Sequence, residues 1–348
     1  MVEIAESRTR PAFFVRLFGW AMLLLIATYL INNTLQVEFG WPGLAGLKAS
    51  SPVPEAQWHV WIYAAGFALA LVYVIATIRL PLRTDAARIT RFNTWIIRGC
   101  FWAVVFVGLA DMAISFLRVE GLLPGIVGDE MFKQLSRSHY RGQYVHLPLI
   151  GAGFVVALFT RTLGFHWLAL LIVIAELMIV FTRFIFSYEQ AFMGDLVRFW
   201  YAALFLFASA YTLLEDGHVR VDVFYAGMSR RKRGFVNGFG AIFLGISLCW
   251  TIIIIGFRGK SSIIYGPLAN FEVSQSGFGM YTKYLMAVFL GVFAITMLIQ
   301  FVAQLFDAWA DMRNEPGSRI TPDQPTDDTS YSPDQPMAER VAAGAEAG

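Results

Sequence analysis

The sequence predicts an all-α integral membrane protein of about eight transmembrane helices, with both termini cytoplasmic and a disordered C-terminal tail. Three observations lead there. Of the 348 residues, 57% are hydrophobic, 16% aromatic and only 15% charged, well outside soluble usage. The apolar residues fall in long unbroken runs, and the arginines and lysines gather in short segments between them. A net charge of +2 is too small to point to nucleic acid, so the basic groups are read as orientation signals and contacts for membrane lipids.

At 1.5 Å rise per residue, roughly 20 apolar residues cross about 30 Å of hydrocarbon. Runs of that kind occupy 13–31, 58–78, 95–117, 144–160, 165–186, 198–214, 235–257 and 281–306. Arg8, Arg10 and Arg16 give the first run the look of a signal peptide. Its apolar core is too long for one, and no small-residue cleavage site follows closely, so it reads as an uncleaved helix. The fourth run is the shortest, limited by His146 and Pro148, and Arg161-Thr162-Leu163-Gly164 must then turn tightly into the fifth.

Charge supports that fourth span. Lys and Arg in short loops resist translocation, and two loops dominate: Arg79, Arg83, Arg88 and Arg91 between runs two and three, and Arg220 with Arg230-Arg231-Lys232-Arg233 between runs six and seven. Eight spans put both loops and both termini inside, whereas seven put the two loops on opposite sides. Segment 120–140, with Lys133 and Arg137 balanced by Glu120, Asp129 and Glu130, falls outside. Trp58, Trp61, Trp95, Trp167 and Trp200 stand at run ends, as interfacial anchors do. Beyond 306 the chain turns to Pro, Asp, Ser, Thr and Ala, with Pro322-Asp323-Gln324-Pro325 echoed at Pro333-Asp334-Gln335-Pro336. It lacks the apolar residues a core needs.

Polar groups inside the runs are the candidate functional residues. Asp111 and Glu176 lie near the middle of the third and fifth runs, where an unpaired charge costs at least about 2.5 to 3.5 kcal/mol. Each must be neutral, paired or hydrated: bonded to a neighbouring helix, placed for an ion or proton, or matched to a partner subunit. Arg183 follows Glu176 by seven residues and shares its helix face. Histidines raise the alternative of a haem- or quinone-linked membrane anchor of a redox complex. The spacing opposes it, because His146 precedes the 161–164 turn by about 22 Å of helix while His166 lies beside that turn. His59 and His218 form no opposed pair with either. Cys100 and Cys249 sit in apolar runs without Cys-x-x-Cys spacing and read as inert thiols. No phosphate-binding glycine loop and no nucleophile-base set is present. Neither catalysis nor a cofactor or metal is expected of this chain.

The most specific signal lies between 183 and 233. One apolar run ends in Arg183-Phe184-Ile185-Phe186, a polar link carries Gly194-Asp195-Leu196-Val197-Arg198, and the next run ends in Gly217-His218-Val219-Arg220-Val221-Asp222 before the basic segment. His218 and Asp222, four apart, face one another if the helix continues past Gly217. This pattern resembles the small membrane subunit of tripartite ATP-independent periplasmic (TRAP) transporters, over about 167–304 and including Gly266-Pro267 before the final helix. The family often has paired acids where Gly194-Asp195 stands here. The resemblance implies a TRAP-type four-helix domain at 163–308, after an N-terminal extension of about four helices at 1–162 and before a tail at 309–348.

It further implies an inner-membrane scaffold subunit of an ion-gradient-driven, binding-protein-dependent uptake system, with carboxylates as solutes. Its partners are then a large membrane subunit and a periplasmic solute-binding protein. Arg183, Asp195, Arg198, His218, Arg220 and Asp222 are the implied interface and positioning residues.

Overall fold

In a computed structural model, the described residues are 11–48, 54–161, 165–188, 190, 192–214, 225, 227–274 and 279–317. Among them every regular element is helical. The long helices are α1 (Phe13–Val37), α2 (Pro54–Ala76) and α3 (Leu82–Val119). Two short helices follow, α4 (Leu123–Val127) and α5 (Asp129–Leu135). Then come α6 (Ser138–Phe159), α7 (Phe165–Phe186), α8 (Met193–Leu214), α9 (Arg230–Phe257), the short α10 (Tyr265–Ala269), and α11 (Lys283–Met312). Eight of these, all but α4, α5 and α10, are long and apolar enough to cross a bilayer, matching the eight runs in the sequence. The tail from 318 onward and residues 162–164 of the expected hairpin lie outside the described residues.

Several helices are longer than their apolar runs. The segment carrying Arg83, Arg88 and Arg91 is not a loop, as expected, but the first turns of α3, whose 38 residues reach about 57 Å. The reason is visible in the pattern Leu82, Ala86, Ile89: spaced at i, i+4 and i+7, all three are buried in the core formed by α1, α9 and α11. Basic side chains on the other faces extend the helix past the hydrocarbon without breaking it. Likewise α9 begins at Arg230, so the expected basic loop ends where a helix starts, with Ser229 in extended conformation at its N-cap. α3 stops at Glu120-Gly121, where Gly121 takes φ +70°, the left-handed conformation that ends helices. In α6 a π turn at Gly142–His146 precedes Pro148, which has no N–H to give the carbonyl four residues back.

α11 is the axis of the bundle, packing against α1, α3, α8 and α9. α3 packs against α6, α8 and α11, so the N-terminal helices share a core with the later ones. Small residues allow the closest approaches, as is usual between membrane helices. A Cβ on Gly153 of α6 would lie 2.4 Å from the backbone nitrogen of Ala103 in α3. One on Gly234 of α9 would lie 2.6 Å from the Ala308 carbonyl oxygen in α11. α2 packs chiefly on α1, and α7 chiefly on α8. Cys100 and Cys249 are buried.

Candidate functional site

The deepest polar cluster is built around Asp111. Asp111 stands on the face of α3 otherwise lined by Cys100, Val104 and Val107, and its charge is matched from other elements. Asp111 and Arg141 are both fully buried and pair at 2.8 Å. His146 Nε2 lies 3.1 Å from the same carboxylate oxygen, and the second oxygen accepts the Tyr281 backbone N–H at 2.7 Å. A carboxylate only accepts, so Nε2 carries the proton. His146 Nδ1 is then the acceptor of the Tyr284 hydroxyl at 2.8 Å. Both ring nitrogens of His146 are thus engaged by protein groups.

The guanidinium of Arg141 also donates to the Leu135 carbonyl at 3.0 Å and to Ser115 Oγ at 3.3 Å, and it lies 4.1 Å from the centre of the Tyr281 ring. Arg118 sits over the same ring at 4.8 Å, and donates to the Tyr281 hydroxyl and to the Gly279 carbonyl. One aromatic ring between two guanidiniums, both anchored on α3 and α6, fixes the entry to α11. Asp195, in the first turn of α8, reaches the same loop: its Oδ2 accepts the Met280 N–H at 3.2 Å. Glu120, just past α3, accepts a 2.5 Å bond from the Tyr188 hydroxyl, which holds that phenol above its ordinary pKa. Burial and the Glu38 carboxylate raise Tyr265 of α10 in the same way.

The opposite end of the bundle carries two more ion-pair clusters. Arg16 of α1 is 1% exposed, pairs with Asp85 of α3 at 2.7 Å, and donates to the carbonyl and hydroxyl of Thr77 at 2.6 and 2.7 Å. Trp20 and Tyr73 supply further bonds to Asp85, at 3.2 and 3.1 Å. Arg83 pairs with Asp307 at 3.4 Å and Asp311 at 2.7 Å, and Arg230 meets the same Asp311 at 3.0 Å. The two basic segments therefore share one end of the bundle, together with the start of α1 and the end of α11.

The residues singled out in the sequence fall into three places. Asp111 is in the cluster just described. Asp195 and Arg198 stand 3.6 Å apart on α8, Asp195 half-buried beside that cluster and Arg198 largely exposed. Arg183 is exposed near the end of α7, and Glu176 is exposed at its middle. His218, Arg220 and Asp222 lie outside the described residues. Sequence reasoning missed Arg141, His146 and Tyr281 as partners of Asp111 and Tyr284 as the partner of His146, and it read Arg16 only as part of the basic flank of a signal-peptide-like first run. The signal for Asp111 was its isolated charge, which demanded a partner without naming one.

In comparison with known proteins, the family model described as tripartite ATP-independent periplasmic transporters, DctQ component, matches residues 170–311. The match begins inside α7 and ends at the last turn of α11. Neither a curated protein nor a solved structure matches the chain.

Proposed function

We propose that this chain, whose residues 170–311 match the DctQ component of TRAP transporters, is a multi-pass inner-membrane transporter subunit that acts as a scaffold rather than as the carrier. In this reading a large membrane subunit moves the solute, a carboxylate, down the path opened by an ion gradient, and a periplasmic binding protein delivers it. The chain supplies part of the stationary frame against which that subunit works. The observation that carries the reading is the buried cluster at Asp111. It spends its charges on one another and on the entry to α11, and so ties α3 and α6 of the extension to α8 and α11 of the matched segment. A frame needs that rigidity, and a carrier needs its midplane charges available to cargo. The groove between α1 and α2 fits the same reading: it is lined by residues such as Phe14, Phe18, Met22 and Phe67 and by no charged group.

The end holding Arg16, Arg83 and Arg230 is assigned to the cytoplasm, since short basic segments stay on that side. On this assignment Arg183, Asp195 and Arg198 stand toward the periplasmic end, and His218, Arg220 and Asp222 toward the cytoplasm, as contact and positioning groups. The test is the yield of the complex with the large subunit for Asp222→Ala and His218→Ala beside Asp216→Ala as control. A charge-assisted contact at a partly desolvated interface contributes about 1.5 to 3 kcal/mol, so the first two lower the yield and the control does not. Equal yields for all three, with transport unchanged, would remove the cytoplasmic motif from the interface.

A further inference from the structure

α7 leaves a carboxylate uncovered at the depth where a bilayer is driest. Glu176 is followed by ten and preceded by eleven residues of the Phe165–Phe186 helix, so about 15 Å of helix separates it from either end. Its side chain is exposed on the outer surface of the bundle and makes no hydrogen bond or ion pair among the described residues. The contrast with Asp111 is direct, since that carboxylate is surrounded by a guanidinium, an imidazole and a backbone N–H. α7 is also the least covered of the eight spans, 17% of its apolar window being buried against 50% for α11. Val173, Leu177 and Val180, on the turns around Glu176, are all exposed.

Hydrocarbon offers a carboxylate neither donors nor counter-charge, and no described residue of this chain supplies either to Glu176, so a partner on another chain at the same depth is the one that satisfies it. A second copy is a poor candidate. Twofold pairing through this face sets the same patch against itself, bringing two carboxylates together. A cation on a different protein satisfies the group. We propose that the Glu176 face of α7 docks a transmembrane helix of the large permease subunit, and that this helix presents a lysine or arginine at mid-membrane depth. The proposal rests on the transporter reading above and adds to it the face and the chemistry of the contact.

The experiment is co-purification of the full chain with the permease in mild detergent, for wild type, Glu176→Gln, Glu176→Leu and Glu176→Lys. Because Glu176 holds nothing among the described residues, all four are expected to fold and insert. Loss of a charge-assisted bond lowers complex yield at least roughly tenfold for Gln and Leu, and Lys, which repels the partner cation, abolishes it. Reversing the partner cation to Glu then restores the complex with Glu176→Lys. In parallel, Leu177→Cys is expected to cross-link to the permease, without competition from the buried Cys100 and Cys249. A wild-type complex undiminished in the Gln and Leu variants overturns this proposal alone, as does cross-linking of Leu177→Cys to a second copy of the chain. Absence of any wild-type complex overturns the transporter reading with it.

Discussion

At the scale of single residues, the chain handles its two mid-membrane carboxylates in opposite ways. Asp111 is buried with its counter-charges, and Glu176 is left at the surface. A buried pair adds little net stability because desolvation offsets the attraction, but removing one member strands the other at a cost of about 3 to 5 kcal/mol. Arg141→Leu is therefore expected to lower the thermal unfolding midpoint in detergent sharply, whereas Asp111→Leu combined with Arg141→Leu recovers much of the loss. Additive losses in the double variant would show that the two charges are not coupled. The sequence made half of this legible. It exposed Asp111 and Glu176 as charges in apolar runs, yet Arg141 lies 30 residues away and His146 35. Which distant residue meets a charge is decided by helix packing, and no local pattern records it.

At the scale of elements, hydropathy located all eight spans because a bilayer imposes a length on each helix. It misplaced their ends, because past the hydrocarbon a helix continues wherever one face stays buried. Leu82, Ala86 and Ile89 do this for α3, and the last turns of α11 do it through Phe306 and Ala310. The overhanging turns hold the salt bridges among Arg83, Asp307, Asp311 and Arg230, which bind the start of α3 and of α9 to the end of α11. That clamp and the Arg16–Asp85 pair place the start of α1 and the end of α11 on one side, which the proposed orientation puts in the cytoplasm. Reporter fusions at the N- and C-termini are expected to agree, both in the cytoplasm. Reporters on opposite faces would break the eight-span account.

At the scale of the whole molecule, the family signature covers the last helices while the core ignores the boundary. α3 and α6 come from the unmatched part, and they hold the entry to α11 through Asp111, Arg118 and Arg141. The resemblance in the sequence foresaw a TRAP-type segment, and the match over 170–311 agrees with it. It was silent on how the extension is attached, because motifs report the chemistry of one segment and not its packing against another. The central claim is that this chain frames a transporter without carrying solute itself, and uptake in proteoliposomes addresses it directly. With the large subunit, the binding protein and an imposed ion gradient, uptake of the binding protein's solute is expected to require this chain. Vesicles holding this chain with the binding protein but no large subunit are expected to stay at background, and solute accumulation in those vesicles would contradict the account.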